Sequence, residues 1–489
     1  MAEGLSFHQQ GQFDMAQQRY TQVLQLQPQN FDALHLSGVL ASQTQQPQRA
    51  VELITQALRI NPHVAGAFIN LGVALRQLKQ HQAAVDAYDQ ALRLQPQDVD
   101  TLINRGVALR VLHQHAQALD SYNQALALQP HRAEALYNRG LLFNDLNRLP
   151  EAIADFESTL RVIPQYHPAR WGQTLCHLQA GDLALGWQTY DIRWLQDEKE
   201  FTTLALVSAK PKWQPGDHPT RLLLWPEQGV GDELMWGGLL QQAKVCADQL
   251  LVQLDARLIP LFQRVMPDVA FFPKGTPVNE SLYDAHLPIG DLAGLFCQEF
   301  NEFQNIQPRY VSADPARVQA LCIDLSGTDS RPLCGISWRS KNDKRGQDRS
   351  MALLDLVQAI GSDQVRFVNL QYGDVSDEIA QLKLAHGIDV IQCKDVDNLQ
   401  DLDGLAALIE ACDWVISVDN STVHLAGALG KPVWVLLPFN ADWRWFLNRT
   451  DSPWYPSATL YRQTTIGDWS SVISAIRSDV QNRCQQRYG

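Results

Sequence analysis

Small and large apolar positions recur every 34 residues through the first third of the chain. In each period a glycine is followed by an alanine, then by a large apolar residue, and the period closes at a proline. Small residues let two helices approach closely, and proline ends a helix. The pattern therefore predicts a stack of helical hairpins over residues 1–166, including a truncated first hairpin with Gly4, Ala16 and Tyr20. The other repeating positions are Gly38, Gly72, Gly106 and Gly140; Ala50, Ala84, Ala118 and Ala152; Ile54, Tyr88, Tyr122 and Phe156; and Pro28, Pro62, Pro96, Pro130 and Pro164.

The period fades between residues 167 and 219. The stretch "PARWGQTLCHLQAGDLALGWQTYDIRW" still predicts a pair of helices, which we expect to cap the stack. The proline-rich "KPKWQPGDHP" then connects this pair to a region with a different pattern. We therefore assign residues 167–219 to capping helices and a linker.

After residue 220, short apolar runs alternate with helical patterns. A first series contains "RLLLW", "QLLVQL" and "VAFFP"; a second contains "CGISW", "VRFVNLQ", "IDVIQC", "WVISV" and "PVWVLLP". This alternation predicts parallel sheets. We expect an α/β region of two Rossmann-like domains, residues 220–312 and 333–489, joined by a helix and linker at 313–332. Ligands of such sheets bind at the carboxyl ends of the strands.

Two polar segments follow predicted strands where such a ligand would bind. The segment "DNSTVH", residues 419–424, opens a helix, and a helix start offers free N–H groups and a partial positive charge to a diphosphate. Ordinary helix capping by Asp419 or Ser421 is the alternative. In "WRSKNDKRGQDRS", residues 338–350, Arg339 and Lys341 lie at the end of a strand and can reach the same phosphate. We expect the other basic residues of this segment, Lys344, Arg345 and Arg349, to lie in a solvated loop.

A carboxylate in the first series is the candidate general base. In "PEQGVGDE", residues 226–233, two glycines permit a sharp turn and Asp232 follows at the start of a helix. Helix capping is the alternative function for Asp232. Glu227 and Glu233 are the next candidates. The aromatic "DWRWF", residues 442–446, could stack on a base or sugar or pack the C-terminal helix "DWSSVISAIRSDV" across the domains, and we favour packing.

Composition restricts the partners. A net charge of -13, concentrated after the repeats, argues against a nucleic-acid backbone as the main partner. Eight scattered cysteines indicate reduced, mostly buried thiols. The sequence shows no signal peptide and no membrane span, so we expect a cytoplasmic protein. The "DVD" and "DLD" triplets at residues 395–397 and 401–403 precede a helix, and we predict no metal site.

The repeats resemble the tetratricopeptide repeat, and in particular the solenoid of the O-linked N-acetylglucosamine transferases. That solenoid carries an asparagine ladder at the repeat position of Asn70, Asn104 and Asn138, so the resemblance implies that these amides bind an extended peptide. Arg76 and Arg110 should flank the row. Hydrogen bonds between helices of the solenoid are the alternative function of the asparagines.

The C-terminal half resembles the heptosyltransferase-like enzymes of the GT-B fold, through "DNSTVHLAGALGKPVWVLLP" and the "GVGDEL" loop. The resemblance implies an inverting, metal-independent glycosyltransferase, without a cofactor, that uses a nucleotide sugar and modifies a protein, peptide or glycan acceptor. Asp232 would be the base and Glu227 would contact the acceptor. The implied donor-site residues are Arg339, Lys341, Asp419, Asn420, Ser421, Thr422 and His424. The alternative is a repeat scaffold with an inactive transferase-like region; an oligomer is possible in either case.

Overall fold

The computed structural model describes residues 1–195, 205–326, 329–341 and 346–488. Lys344 and Arg345, expected in a solvated loop, lie outside the described residues. The chain forms two compact units, Met1–Gln173 and Thr174–Gly489. The finer domain boundaries given above stay predictions.

The first unit is built from helical hairpins, as the 34-residue period predicts. The truncated first hairpin is confirmed, with Gly4, Ala16 and Tyr20 buried. The helices are α1 (Ala2–Gln9), α2 (Phe13–Leu26), α3 (Phe31–Gln43), α4 (Pro47–Ile60), α5 (Ala65–Gln77), α6 (His81–Leu94), α7 (Val99–Val111), α8 (His115–Leu128), α9 (Ala133–Asp145) and α10 (Leu149–Val162). Helix α11 (His167–Ala180) contains the division between the units.

The glycine of each hairpin makes room for the large residue sixteen positions later. A Cβ atom added at Gly72 would lie 2.4 Å from the Tyr88 ring, and one added at Gly106 would lie 2.5 Å from the Tyr122 ring. Both tyrosines are fully buried. The small-to-large order in the sequence is therefore a packing requirement, since any larger side chain would push the two helices of a hairpin apart.

The turn inside each hairpin uses a left-handed residue. Gly11 has φ 73°, and the corresponding residues of the later hairpins are not glycine although they adopt the same conformation. Those residues are Gln45, Lys79, His113 and Asn147, with φ between 56° and 59°. This region favours glycine and, among other residues, asparagine. Gln45, Lys79 and His113 are therefore disfavoured in the left-handed conformation of their turns. Asn147 is tolerated better in the same conformation.

The second unit contains two parallel sheets. The first has the order β3-β2-β1-β4 and the second β10-β9-β8-β5-β6-β7. The strands are β1 (Arg221–Trp225), β2 (Gln249–Leu254), β3 (Ala270–Pro273), β4 (Ala285–Pro288), β5 (Leu333–Ser337), β6 (Arg366–Asn369), β7 (Val390–Ile391), β8 (Trp414–Val418), β9 (Val433–Leu437) and β10 (Ala458–Arg462). Strands β1, β8 and β9 are buried nearly throughout, as strands covered on both faces require.

The second unit has one short helix before its first strand and further helices after its strands. They are α12 (Leu183–Gln188), α13 (Val230–Gly237), α14 (Leu240–Lys244), α15 (Ile259–Gln263), α16 (Asp291–Phe296), α17 (Pro315–Leu325), α18 (Gly346–Arg349), α19 (Leu353–Ile360), α20 (Ser376–His386), α21 (Leu402–Ala411), α22 (Ser421–Ala428) and α23 (Ser470–Tyr488). Short 3₁₀ segments lie at Tyr190–Leu195, Glu280–Leu282, Phe300–Asn305 and Trp443–Trp445. Two of these helices, α13 after β1 and α22 after β8, begin at the motifs that the sequence analysis selected.

The expected parallel α/β arrangement is confirmed, and two strands were missed. Strand β4 carries a histidine and a proline within four residues, and β10 has the mixed sequence "ATLYR", so neither forms a clear apolar run. The predicted thiols are confirmed: the eight cysteines are unpaired and five are buried. Within the described ranges, no helix has both the length and the apolarity needed to cross a membrane.

Candidate functional site

Asp232 lies in the first turn of α13, beyond the turn that the glycines form. Its Oδ2 accepts a hydrogen bond from the Gly229 N–H at 3.2 Å. Its Oδ1 accepts one from Arg444 Nη2 at 2.6 Å. The capping function considered for Asp232 is thus present, but it engages one oxygen, while an arginine 212 residues away in sequence engages the other.

The helix that starts at residues 419–424 is capped by Asn420, whereas the sequence suggested Asp419 or Ser421 as the alternative to an anion site. Asn420 Oδ1 accepts from the Thr422 N–H at 2.9 Å, so the cap is neither Asp419 nor Ser421. The Asn420 Nδ2 donates to Ser337 Oγ at 2.8 Å and to the Arg339 carbonyl oxygen at 3.1 Å. Asparagine serves better than aspartate here because one amide both accepts at the helix start and donates across to the end of β5.

Thr422 is the polar side chain of this helix start that keeps an unused group. It is fully buried, and its Oγ1 has no hydrogen-bond partner among the described residues. A buried hydroxyl without a partner costs roughly 1–3 kcal/mol. The Thr422 hydroxyl is therefore available to a ligand that reaches the start of α22.

Helices α13 and α22 pack against each other, and Gly231 allows this contact. A Cβ atom at Gly231 would lie 2.9 Å from the His424 ring, which is closer than side chains tolerate. The two polar motifs, 187 positions apart in the chain between Asp232 and Asp419, are consequently brought side by side. The glycine of "GVGDEL" thus serves helix packing as well as the turn.

Alternating charges continue from Asp232 toward the start of α22. Arg444 Nε lies 3.4 Å from Asp442, and Arg349 lies 3.4 Å from Asp442 and 3.1 Å from Asp419. These five residues form what we call the charge chain: Asp232, Arg444, Asp442, Arg349 and Asp419. Its side chains are at most 20% exposed, so the pairs are shielded from the solvent that weakens surface ion pairs.

Arg462 is a further, partly buried cation near the charge chain, and its hydrogen-bonding groups are less fully paired. Arg462 Nη2 donates to the carbonyl oxygens of Trp445 and Phe446, whereas its buried Nη1 has no hydrogen-bond partner among the described residues. Burial lowers the pKa of Arg462 to about 10, and Asp419 opposes the shift. This incompletely satisfied guanidinium would gain from a nearby anion.

His424 is a neutral, buried group. Its Nδ1 lies 2.8 Å from the Tyr455 hydroxyl, and its ring stacks on Trp445 with centroids 5.5 Å apart. Burial lowers the pKa of His424 to about 3, and the charge of Arg444 lowers it further. His424 can therefore donate or accept a hydrogen bond at neutral pH but carries no positive charge for a phosphate.

Arg339 and Lys341 lie at the end of β5 as the sequence indicates, and they border a cavity of about 690 Å³. Arg339 Nη2 is paired with Glu378 at 2.8 Å. The Lys341 ammonium lies 5.9 Å from the Tyr372 ring centre. The backbone of Arg339 contacts the start of α22, since Asn420 donates to the Arg339 carbonyl oxygen.

The two glutamates considered as alternative bases are engaged elsewhere. Glu227 is 1% exposed and binds Arg193 at 2.5 and 3.1 Å, while its Oε1 also accepts from the Gly290 N–H. Glu233 accepts from the Asp255 N–H at 2.6 Å, and burial raises its pKa to about 6. Of these three carboxylates, Asp232 is the one joined to the charge chain.

The aromatic residues of "DWRWF" pack inside the unit. Trp443, Trp445 and Phe446 are at most 8% exposed. Trp443 stacks on Trp236 of α13, with ring centres 6.0 Å apart. The favoured packing is therefore confirmed in part: the rings are buried, but their ring contacts include Trp236, His424 and Phe300, which lie outside the expected partner, the C-terminal helix.

In the repeats, each asparagine of the proposed ladder has a partner inside the fold. Asn70 Nδ2 lies 2.9 Å from His35, and Asn104 accepts from Arg76 at 3.1 Å. Asn138 donates to the Glu134 carbonyl oxygen at 2.8 Å. Arg110 lies 2.5 Å from Asp145. All three asparagines are half-buried on the first helix of their hairpin, where interhelical bonding and ligand binding would use the same amides.

Comparison with known proteins identifies the first unit. A tetratricopeptide-repeat family model matches residues 1–62, 35–99 and 103–168. Residues 1–168 are tetratricopeptide repeats. Among solved structures, MamA is 25% identical over 33% of this chain and 95% of its own, with a TM-score of 0.32. PilF of Pseudomonas aeruginosa is 18% identical over 40% of this chain and 89% of its own, with a TM-score of 0.36.

A longer similarity extends beyond the tetratricopeptide repeats. FlbA of Caulobacter vibrioides is 28% identical over 326 residues, which is 62% of this chain. The matched part is 53% of FlbA, so the chain spans about half the length of this curated relative.

The ion pairs of two groups of arginines were not predicted from the sequence. One group forms a row in the tetratricopeptide repeats, and the other belongs to the charge chain. Arg105 binds Asp89 at 2.6 Å and Ser121 at 2.7 Å; Arg139, 34 positions later, binds Asp155 and Asn123. The period itself could have revealed this row. The expectation that Arg349 lies in a solvated loop is wrong, since its side chain is 11% exposed and pairs with Asp419 and Asp442. Arg444 and Arg462 carry no periodic signal, and Asp232, the hydrogen-bond partner of Arg444, lies 212 residues away.

Proposed function

We propose that this chain is a metal-independent, inverting glycosyltransferase that takes a sugar from a nucleotide sugar and uses its repeats to hold a protein or peptide acceptor. The α/β unit would then be a GT-B arrangement of two Rossmann-like domains. One observation carries the proposal: Asp232 and the start of α22, with its unpartnered Thr422 hydroxyl, lie side by side in a buried, charged site.

The proposed reaction uses these groups in one displacement. Asp232 accepts the proton of the acceptor hydroxyl while the hydroxyl oxygen attacks the anomeric carbon. The bond from that carbon to the diphosphate oxygen breaks, and the configuration inverts. The N–H groups at the start of α22, the Thr422 hydroxyl and the charge of Arg462 would stabilise the departing diphosphate. Arg339 and Lys341 would contact the remainder of the donor.

The repeats provide the interaction half of the proposal. Tetratricopeptide solenoids present extended concave surfaces for peptides and proteins. We assign Asn70, Asn104 and Asn138 to acceptor binding, with Arg76 and Arg110 beside them. An acceptor would have to exchange the intramolecular hydrogen bonds of these amides for bonds to its own backbone.

The donor site is tested with a panel of nucleoside diphosphates and chelator, followed by thermal unfolding. Ligands that bind the folded state alone raise the melting temperature. We expect one of ADP, GDP or UDP to bind, and Thr422→Val to weaken it about tenfold or more, the size of a hydrogen bond to a charged group. Thr101→Val is the matched control, because the Thr101 hydroxyl is equally buried and also unpartnered.

The base is tested by release of nucleoside diphosphate from the matching sugar nucleotide. Asp232→Asn should reduce turnover by roughly 10²–10⁴-fold. Asp401→Asn is the control, since Asp401 also accepts from a helix-start N–H, at 2.9 Å, and pairs with an arginine, at 2.5 Å. An active Asp232→Asn protein, or no binding of any nucleotide, would contradict the proposal.

A scaffold without catalysis is the second candidate function. It is favoured by the hydrogen bonds that already engage both oxygens of Asp232 and all of the Asn420 amide. In that case partner binding through the repeats would be unchanged in Asp232→Asn and Thr422→Val.

A further inference from the structure

The 3₁₀ turn at Trp443–Trp445 is fixed at both of its tryptophans. Trp443 stacks on Trp236 of α13, and Trp445 stacks on His424 of α22 with ring planes 26° apart. Arg444 lies between them in the chain. Its backbone is therefore tied to both helices of the site, one through each neighbour.

The residues that flank the turn hold its backbone as well. Asp442 caps it, with Oδ1 accepting from the Arg444 N–H at 3.3 Å. Phe446 ends it with φ 50°, a region that an aromatic residue rarely adopts, and its buried ring packs against Phe300 and Phe303. Such a conformation persists only where the surrounding packing imposes it.

The Arg444 side chain is directed by one hydrogen bond and one ion pair, although its buried Nε makes no hydrogen bond to the described residues. Its Nη2 donates to Asp232 at 2.6 Å and its Nε faces Asp442 at 3.4 Å. Asp442 is held in turn by Arg349, which also binds Asp419. Arg444 thus has one defined direction, and that direction ends on the carboxylate assigned as the base.

We propose that Arg444 is a positioning residue that aims the Asp232 carboxylate and keeps it ionised, and that Asp442 and Arg349 hold Arg444 for this purpose. The inference rests on the proposed function where it concerns the reaction. The link between Arg444 and the protonation of Asp232 is a property of the folded protein and can be measured without turnover.

The charges around Asp232 determine the direction of the effect. Burial raises the pKa of Asp232, Arg444 lowers it, and Asp442 and Asp419 raise it. Without Arg444, the Gly229 N–H hydrogen bond would still oppose burial and two neighbouring carboxylates, but the pKa of Asp232 would rise further. The titratable groups that face Asp232 or influence it from the surrounding elements are Arg444, Asp442, Asp419, His424, Tyr190 and Tyr455.

The test is a titration of the side-chain carboxyl carbon of Asp232 in protein labelled with carbon-13 aspartate, with the signal assigned by its loss in Asp232→Asn. Arg444→Gln should raise the midpoint by about 1–3 pH units, the usual effect of a contacting arginine on an aspartate. Arg444→Lys keeps the charge and should recover part of the shift. Arg449→Gln is the control, because Arg449 pairs with Asp451 at 2.6 Å and does not touch Asp232.

If Arg444→Gln does not fold, Arg444→Met fills similar space without a charge and replaces it in the titration. An unchanged Asp232 midpoint in the folded variant would overturn the proposal. Once a nucleotide sugar that is turned over has been found, turnover can be measured against pH. The lower pKa of that profile should shift by the same amount as the titration midpoint of Asp232. A shifted midpoint in a protein that turns over no donor would refute the transferase function while leaving the link between Arg444 and Asp232 intact.

Discussion

The repeats and the α/β unit pair their charges over very different distances in sequence. In the repeats, Arg105 and Asp89 are 16 residues apart, and Arg110 and Asp145 are 35 apart. In the α/β unit, Arg193 and Asp291 are 98 residues apart, and Arg444 and Asp232 are 212 apart. Pairs in the repeats follow the period of the sequence, whereas pairs in the other unit depend on how the strands are ordered.

These ion pairs are also more deeply buried in the α/β unit than in the repeats. Arg193 is fully buried between Tyr190 and Trp194, with Glu227 also buried, whereas Arg105 and Asp89 keep part of their side chains in solvent. Removing one partner of a buried pair leaves an uncompensated charge, while an exposed pair contributes little. The α/β unit should therefore be far more sensitive to loss of a single arginine.

The largest expected effect follows from this contrast. Arg193→Met should lower the free energy of unfolding of the α/β unit by about 3–5 kcal/mol, because Glu227 is left buried without its cation. Arg105→Met in the repeats should cost less than this, because the side chain of Asp89 is 39% exposed and stays solvated when its cation is removed. Twelve of the thirteen tryptophans lie in the second unit and one, Trp171, lies at the end of the first, so tryptophan fluorescence mainly follows the α/β unit, and circular dichroism adds the repeats.

Adding Glu227→Gln to Arg193→Met should restore part of the loss, since the buried charge is then removed as well. Equal costs for Arg193→Met and Arg105→Met would contradict the difference drawn between the two units.

The repeats should instead be sensitive to the size of one side chain. Gly72→Ala and Gly66→Ala are made in the same helix, but a Cβ at Gly72 meets Tyr88 whereas nothing lies within 4 Å of one at Gly66. We expect Gly72→Ala to be less stable than Gly66→Ala by about 1–3 kcal/mol, the cost of overpacking. Thermal unfolding followed by helical circular dichroism measures the difference, and Tyr88→Leu should relieve it.

Buried carboxylates make the α/β unit sensitive to pH. The pKa of Glu233 is raised to about 6 in the folded protein, so its proton stabilises the fold at low pH. That stability is lost as pH rises through 6. Glutamine does not titrate, so the Glu233→Gln variant does not lose this contribution as the pH rises. The free energy of unfolding of the variant minus that of the parent protein should therefore increase by about 2 kcal/mol between pH 4.5 and 7.5. A difference that stays flat in urea titrations across this range would show that Glu233 is ionised throughout.

The smallest expected effects are gains in the repeat turns. Gln45→Gly, Lys79→Gly and His113→Gly each remove a side chain from a left-handed conformation. Each should raise the stability of the repeats by about 0.5–1 kcal/mol, and together they should raise the melting temperature measured by circular dichroism. Asn147→Gly should gain least, because asparagine tolerates this region. A loss of stability in all four variants would indicate that these side chains make contacts worth more than the strain.

The sequence predicted the repeats closely because each hairpin packs against its neighbours in the chain. Gly72 and Tyr88 are visible as a pair without any knowledge of topology. The strand-and-helix alternation after residue 220 was equally local, whereas β10 was missed because its burial comes from pairing with β9.

The candidate site could be predicted only in part. Asp232 and the segment at residues 419–424 were found because glycines and small polar residues mark the turns after β1 and β8. The alternative to anion binding, capping by Asp419 or Ser421, named the wrong residues, since Asn420 is the cap and its amide also donates to Ser337 at the end of β5. Arg349 was wrongly expected in a solvated loop and Arg444 was not assigned a function, because Asp419 and Asp232, the carboxylates that they contact, come from other elements.

The distance between Asp232 and Arg444 also bears on how the protein is made. Helical hairpins with local contacts can form as the chain leaves the ribosome, whereas contacts between distant segments form late and slowly. Asp232 cannot meet its arginine until residue 444 has been synthesised. Strand β10 cannot join the second sheet until residues 458–462 have been synthesised. During translation the repeats can therefore already be assembled and able to meet a partner while the α/β unit is still incomplete.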